Sequence, residues 1–149
     1  MSSCHLVQLN IAKMKFSIES IEMLDFVDNL EIINALADRS PGFVWRLPTE
    51  EGDATGIDIF GSDVLVNMSI WEDVESLHKF VYKTAHSKIM SRRKEWFHRV
   101  EEAYTVIWWA PEAEILSLDQ AKLKLELLKS RGPTAAAFSF KQAYPSPGC

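Results

Sequence analysis

Residues 64–71 have the sequence Val-Leu-Val-Asn-Met-Ser-Ile-Trp, and this stretch decides which fold the chain can adopt. Side chains alternate between the two faces of an extended strand. One face here carries only apolar residues, namely Val64, Val66, Met68 and Ile70. The opposite face combines two large apolar side chains with two small polar ones, in the order Leu65, Asn67, Ser69 and Trp71. A strand with apolar side chains on both faces predicts a sheet that is packed on both sides.

Other strands are predicted on both sides of this stretch, at residues 5–12, 42–47, 103–110 and, as a last strand, 134–140. Residues 57–60 form either a hairpin with residues 64–71, across Gly61-Ser62-Asp63, or the first part of one interrupted strand. The acidic stretch 48–56 is predicted to be an exposed turn. Together these segments predict an antiparallel sheet.

Helices are predicted at residues 21–39, 73–100 and 117–132. Ser40-Pro41-Gly42 ends the first helix, and Ser117 with Gln120 forms a capping box at the start of the last one, which ends at Gly132-Pro133. The middle segment carries two apolar stripes whose directions differ by roughly 140° at 100° per residue. One straight helix cannot bury both stripes on the same surface, so we expect a break near residues 83–85.

The order of these elements is β-α-β-β-α-β, followed by a helix and a short last strand. This order predicts an α+β fold with a ferredoxin-like sheet and helices on one face. The second sheet face then needs a cover, and a twin sheet from another subunit is the economical choice, which predicts a homodimer through the sheet face. We expect one domain over residues 1–141 and a Pro-rich tail over residues 142–149.

Composition narrows the classes of partner. The 149 residues include 16 basic and 21 acidic side chains, a net charge of −5, which disfavours nucleic acid and acidic lipid. No uncharged run, residues 103–111 included, approaches the roughly 20 residues that span a bilayer. No signal peptide is visible, and Cys4 and Cys149 lie at opposite ends without forming a disulfide framework. These features predict a soluble cytoplasmic protein.

The motifs of common enzyme classes are missing from the sequence. It has no Gly-rich phosphate loop, no Gly-x-Ser-x-Gly elbow and no Cys-x-x-Cys. The four histidines show no i,i+4 pair, so a zinc site is not expected. The sequence therefore lacks the motifs that usually identify a hydrolase, a kinase or a dehydrogenase.

Two polar residues interrupt the second apolar stripe of the middle helical segment. His86 and Arg93 lie about 20° apart on the helical wheel, in the middle of that face. A buried guanidinium needs a partner because desolvating a lone charge is costly. Arg93 therefore either pairs with a carboxylate or faces a cavity that holds an anion. His86 is either a hydrogen-bonded core histidine or part of the same cavity.

Polar residues also interrupt the strands. Asn10 and Asn67 lie in the middle of strands, where asparagine is disfavoured. Their amides either bridge neighbouring elements or line a pocket. Arg46 is expected to form an interfacial salt bridge. Most of the five tryptophans belong to the core or a dimer interface, and one or two of them can wall a flat aromatic ligand.

A set of short motifs runs along the chain: Phe26-Val27-Asp28-Asn29, Asn34-Ala35-Leu36-Ala37, Pro41-Gly42-Phe43-Val44-Trp45-Arg46-Leu47, Ser69-Ile70-Trp71-Glu72, Phe80-Val81-Tyr82, Ala85-His86, Arg92-Arg93-Lys94-Glu95-Trp96-Phe97, Trp108-Trp109 and Gly132-Pro133. With these motifs the chain, over about residues 5–147, resembles the bacterial family called domain of unknown function 3291. That family is similar to the dimeric α/β barrel superfamily of antibiotic-biosynthesis monooxygenases, polyketide cyclases, heme-degrading monooxygenases and chlorite-dismutase-like proteins. The resemblance implies a dimeric α/β barrel and leaves the activity open, because one fold hosts many functions.

The resemblance also implies roles for single residues. Heme-degrading members use a first-strand asparagine, a helix tryptophan and a histidine that ligates iron; Asn10 and His86 match two of these positions, whereas Phe80 stands at the tryptophan. Cofactor-independent oxygenases hold an aromatic substrate with Asn, Trp and Arg groups, which Asn10, Trp45 and Arg93 resemble. We therefore predict His86, Arg93 and Asn10 as catalytic residues. The predicted substrate contacts are Trp45, Asn67, Tyr82, Met90, Trp96, Phe97 and Trp109.

The leading hypothesis is a monooxygenase-like enzyme that acts on an aromatic or polycyclic small molecule. His86 would act as a base, Arg93 would stabilise an enolate or phenolate oxygen, and Asn10 would orient the substrate. The alternatives are a polyketide-cyclase-like enzyme, a heme-binding protein with His86 as the axial ligand, and a non-catalytic ligand-binding dimer. The expected cofactor is none or heme, with no other metal.

Overall fold

The structure, a computed structural model, describes residues 3–47, 60–61, 63–84, 86–99, 104–114 and 116–149. Its strands are β1 (Cys4–Lys13), β2 (Phe43–Arg46), β3 (Val64–Trp71) and β4 (Thr105–Pro111). Its α-helices are α1 (Leu24–Asp38), α2 (Val74–Lys83), α3 (His86–Ser91), α4 (Arg93–Trp96) and α5 (Leu118–Arg131). A 3₁₀ turn, Ile21–Met23, precedes α1.

The four strands form one antiparallel sheet in the order β2-β3-β1-β4. The central strands are β3 and β1, in which Asn67 lies opposite Asn10, and Asn10 lies opposite Thr105 of β4. This topology confirms the predicted α+β, ferredoxin-like fold.

Helices α1 and α2 cover one face of the sheet, with a buried cluster formed by Leu6, Ile33, Ala37, Trp71, Leu77, Phe80, Val81, Ile107 and Phe138. The predicted break in the middle helical segment is confirmed: α2 ends at Lys83, Thr84 is extended, and α3 begins at His86. The break turns α3 and α4 onto the end of the sheet, where Trp96 and Phe97 pack with Phe26 and Met23.

The opposite face of the sheet is covered by α5 of the same chain. Ala121, Leu125 and Leu128 of α5 pack against a cluster that contains Val7, Leu9, Val66, Met68, Val106 and Trp108, all of them buried. An intramolecular helix thus supplies part of the apolar contact on this face, so the need for a cover no longer argues by itself for a twin sheet from another subunit. The homodimer remains a prediction without that support.

Cys4 and Cys149 form a disulfide, with their Cα atoms 5.3 Å apart. The expectation of no disulfide is wrong, because the fold brings the C-terminal segment back to the first strand. Before it reaches Cys4, that segment joins β4 through a single bridge between Ile107 and Phe138. The predicted last strand over residues 134–140 is thus reduced to isolated bridges. The prediction of a cytoplasmic location keeps no support from the cysteines.

Some predictions fall on residues outside the described ranges. These are the exposed turn at 48–56, the part of the predicted segment 57–60 that covers residues 57–59, and the first residue of the strand predicted at 103–110. Phe60 is described and lies in a turn. In the described part of the chain, no helix combines the length and the apolar character needed to cross a bilayer.

Candidate functional site

A cavity of about 580 Å³ lies between the sheet and the helices α1 to α4. Residues of β1 and β3 form its floor, and the C-terminal segment contributes Ser139, Phe140 and Lys141 to its wall. Most of its lining is apolar and aromatic, and a few polar groups converge on it. Pockets of this size and character are typical of small-molecule sites.

Four polar side chains of the central strands line the floor of the cavity. Ser69 Oγ donates a hydrogen bond to Gln8 Oε1 at 3.1 Å, and Trp71 Nε1 donates to Ser69 Oγ at 2.9 Å. Asn10, two residues along β1 from Gln8, has a buried side-chain oxygen that accepts no hydrogen bond from any described residue. A buried acceptor without a donor is costly, so the Asn10 oxygen is suited to a ligand that carries a hydroxyl or N–H group.

Arg93, at the start of α4, is held by aromatic rings. Its guanidinium carbon lies 4.4 Å from the ring centre of Tyr104 and 5.5 Å from that of Phe97. Its Nη2 atom is buried and donates to no acceptor among the residues that the structure describes. Arg93 takes part in none of the ion pairs formed by the described residues. The alternative in which Arg93 is a core residue neutralised by a carboxylate is therefore not what the structure shows.

The preceding residue, Arg92, has the opposite environment. Its guanidinium binds Glu95 at 2.8 Å and Asp25 at 3.2 Å, and it stacks over the ring of Trp96 at 4.6 Å. These carboxylates raise the pKa of Arg92, and Arg92 lowers the pKa of Glu95. The surface arginine is thus paired, whereas its neighbour beside the cavity is not.

His86, the first residue of α3, lines the cavity as a neutral imidazole. Its Nδ1 lies 3.2 Å from the carbonyl oxygen of Val81, which only accepts, so Nδ1 carries the proton. Burial lowers the pKa of His86 below its usual value of about 6.5, although the hydrogen bond to Val81 opposes this shift. The other ring nitrogen, Nε2, therefore keeps a lone pair that can accept a proton or bind a metal ion.

A family model described as domain of unknown function (DUF3291) matches residues 5–149. The chain belongs to the DUF3291 family. The resemblance to this family predicted from the short motifs is confirmed.

Among solved structures, a conserved protein from Methanosarcina mazei Go1 has a TM-score of 0.52 and 12% identity, over 72% of this chain and 92% of that one. A protein of unknown function from Nitrosomonas europaea has a TM-score of 0.48 and 11% identity, over 78% and 95%. A protein from Shewanella loihica PV-4, provisionally assigned as a monooxygenase, has a TM-score of 0.36 and 10% identity, over 78% and 98%. The first similarity shows a shared fold. No curated protein matches the sequence.

The DUF3291 cavity brings most of the predicted site residues together. Its lining includes the predicted catalytic residues Asn10, His86 and Arg93, and the predicted substrate contacts Asn67, Tyr82, Met90, Trp96 and Phe97. Whether these residues act on a substrate stays a prediction. Their common location follows from the break after α2, which places α3 and α4 over the floor of the sheet.

Trp45 and Trp109 do not line the cavity, so the structure gives no support to their predicted role as substrate contacts. Trp45 is paired with Ile70 across a register shift in β2, which turns its side chain to the face covered by α5. Trp109 lies on the cavity side of β4, but the C-terminal segment covers it, and its Nε1 donates to the Tyr144 carbonyl at 2.9 Å.

Several residues that line the cavity were not predicted from the sequence. Gln8 and Ser69 alternate in step with Asn10 and Asn67, and that period-two pattern was the available signal. Tyr104, which stacks under Arg93, had no local signal. Arg46 binds Asp38 of α1 at 2.9 Å, so its salt bridge lies within the chain and not at a dimer interface.

The described residues include no group of three His, Cys, Asp or Glu side chains that could hold a metal ion. His86 would be the residue that holds a heme through its iron, because its Nδ1–H is bound to a backbone carbonyl and leaves Nε2 as the free ring nitrogen. Heme would supply oxygen activation or electron transfer at its iron.

Proposed function

We propose that this protein is a small-molecule enzyme of the monooxygenase-like type, acting on an aromatic or polycyclic substrate in the cavity. One observation carries the proposal: within the described part of the chain, a buried donor, Arg93 Nη2, and a buried acceptor, the Asn10 side-chain oxygen, lack partners beside a cavity of about 580 Å³. Unpaired buried polar groups cost free energy in the empty protein, and a bound substrate satisfies them.

Aromatic side chains suit the walls to a flat substrate. Trp71 and Phe80 stack with ring centres 5.2 Å apart, and Phe80 lies 5.1 Å from the ring of His86. At the other end, Phe26 contacts Trp96 and Phe97 at 5.4 and 5.0 Å. These rings form an apolar slot. A planar substrate that enters it leaves its hydration water behind and packs against the aromatic side chains.

His86, Arg93 and Asn10 have the properties needed for proton abstraction next to a phenolic or keto group. Neutral His86 accepts a proton from an activated C–H bond through Nε2, and Arg93 stabilises the enolate or phenolate oxygen that forms. Asn10 orients the substrate through its free oxygen. The resulting carbanion transfers electrons to O₂ to give a hydroperoxide, which loses water to leave a carbonyl. One oxygen atom thus enters the product, and the other leaves as water with the two hydrogens of the original methylene.

The test is oxygen uptake with anthrone and a panel of related phenols, followed with an oxygen electrode. We expect enzyme-dependent consumption of one O₂ per ketone formed, and a loss of about 100-fold or more in His86→Phe, the range seen when a general base is removed. His98→Phe, an exposed histidine, is the matched control and should retain the activity. The oxygenase assignment fails if the protein consumes no O₂ with any member of the panel.

A cyclase would use the same enolate, and only the fate of the carbanion differs. Product formed under argon, without O₂ consumption, would replace oxygenation by carbon–carbon bond formation while leaving the roles of His86 and Arg93 intact.

Heme binding is the second candidate, favoured by the hydrogen bond that leaves Nε2 of His86 free to ligate iron. The test is titration with hemin. A Soret band that is lost in His86→Ala and retained in His98→Ala would support it, and a protein whose spectrum equals that of free hemin would exclude it.

A further inference from the structure

The charged side chains that line the cavity all have the same sign. Among the described lining residues, Arg46, Arg93 and Lys141 are basic, and no aspartate or glutamate is present. The whole chain nevertheless has more acidic than basic residues, 21 against 16. Cations are therefore concentrated in the cavity of an acidic protein, which attracts negatively charged molecules to this place.

The three cations are not equivalent. Arg46 is neutralised by Asp38, whose carboxylate accepts from Nε at 2.9 Å and from Nη2 at 3.4 Å. Lys141 is exposed at the C-terminal wall. Arg93 is partly buried as Arg46 is, but its Nη2 has no acceptor among the described residues. Arg93 is thus the group from which a ligand gains most by bringing a negative charge.

The rings around Arg93 hold it without neutralising it. Tyr104 and Phe97 attract the guanidinium through their ring faces, at 4.4 and 5.5 Å, and such faces take up no N–H hydrogen in a conventional hydrogen bond. A carboxylate in their place would have neutralised the charge. The stack therefore fixes the position of Arg93 and leaves its hydrogen-bond donors for another molecule.

We propose that the natural ligand enters the cavity as an organic anion, an aromatic carboxylate or an acid of similar shape, whose charge binds Arg93. Tyr104 and Phe97 are positioning residues for that arginine. The inference rests on the proposed function, since it concerns the same cavity, but it specifies the charge of the ligand before any reaction. A planar carboxylate matches the two parallel N–H donors of a guanidinium, and a ring hydroxyl would supply the donor that Asn10 lacks.

The experiment compares 2-naphthoate with 2-naphthamide, which has nearly the same shape and no charge, using isothermal titration calorimetry on the full chain. We expect the carboxylate to bind at least about ten-fold more tightly, as charged hydrogen bonds allow. Arg93→Met should abolish this preference, because the carboxylate loses more affinity than the amide when the positive charge is removed. Arg99→Met, an exposed arginine, is the matched control and should keep the preference.

Tyr104 is tested by the ratio of the two affinities, because a general loss of structure lowers both together. Tyr104→Leu should reduce the ratio toward one, and Tyr104→Phe, which keeps the ring, should restore it. The inference is overturned if no carboxylate in a panel of benzoates and naphthoates binds more tightly than its amide. If the inference fails in this way but amide binding still depends on Asn10, the proposed function stands. If the protein prefers the carboxylate but consumes no O₂ with any substrate of the panel, only the proposed function is overturned.

Discussion

His86 combines a fixed tautomer with an environment that favours its neutral form. Burial lowers its pKa in the folded protein below the value of about 6.5 that it has in the unfolded chain. Between these two values the unfolded chain binds more protons, so stability increases with pH across that interval and is lost as the pH falls through it. The same protonation removes the lone pair that a base needs.

We therefore predict that acidification from about pH 8 to about pH 5 destabilises the wild type more than His86→Gln, because only the wild type must protonate a buried imidazole. The measurement is the urea midpoint at each pH. His98→Gln should follow the wild type. Parallel pH profiles for wild type and His86→Gln would contradict the buried neutral imidazole.

Gly42 allows the end of α1 to approach the start of α2 closely. Its φ is +84°, and a Cβ atom added there would collide with the side chain of Ser76. Its carbonyl oxygen accepts the Glu72 N–H at 2.7 Å, just before α2 begins. A side chain at this position has to displace one of these two segments.

Gly42→Ala should destabilise the fold by about 2–4 kcal/mol, the sum of a strained positive φ and a steric collision. Gly148→Ala is the control, since Gly148 has φ +81° and no other atoms within 4 Å of the added Cβ. Thermal or urea unfolding should show a clearly smaller loss for the control. Equal losses would mean that the contact with Ser76 relaxes freely.

At the scale of elements, α5 packs on the sheet face that a second subunit was predicted to cover. Ser117 Oγ accepts from the Gln120 N–H at 3.1 Å and starts the helix, as the capping pattern predicted. The Gln120 side chain binds Glu114 instead of closing the capping box. The helix then places Ala121, Leu125 and Leu128 on the sheet.

Two leucines of α5 provide a matched test of this packing. Leu125 is 2% exposed and Leu123 is 65% exposed. Leu125→Ala should cost about 2–4 kcal/mol because it leaves a cavity against the sheet, whereas Leu123→Ala should change stability by less than about 0.5 kcal/mol. Denaturant unfolding measures both. Similar values for the two variants would show that α5 does not cover the sheet in solution.

At the scale of the whole molecule, the Cys4–Cys149 disulfide joins residues 145 positions apart in sequence. It closes nearly the entire chain into a loop and holds the C-terminal segment, which carries Phe140 and Lys141, against the cavity. Tyr144 contributes to the same attachment, since its hydroxyl donates to the Pro133 carbonyl at 3.2 Å.

Reduction of this bond by a dithiol should destabilise the protein by about 2–5 kcal/mol, since a long loop gains much entropy when it opens in the unfolded state. Thermal unfolding with and without dithiothreitol measures the change. Cys149→Ser and Cys4→Ser should unfold at the temperature of the reduced wild type and should not respond to dithiothreitol. An unchanged unfolding temperature after complete reduction would contradict a stabilising disulfide.

The homodimer stays a prediction at this scale. Light scattering distinguishes the 17.0 kDa chain from a pair of roughly twice that mass. A measured mass near that of one chain would contradict the homodimer.

Local sequence patterns determined most of the elements and several of the cavity residues. Alternation marked Asn10 and Asn67 as polar interruptions in the middle of β1 and β3, and two helical stripes of different direction predicted the break between α2 and α3. These features follow from the geometry of one strand or one helix, which depends only on neighbouring residues.

Only the tertiary structure decided which elements cover the two faces of the sheet and which side chains contact one another around the cavity. It placed α5 on the second sheet face, joined Cys4 to Cys149, turned Trp45 away at a register shift and stacked Tyr104 under Arg93. Each of these contacts joins residues far apart in sequence. No local period encodes such contacts, because they depend on how all the elements share a limited amount of buried space.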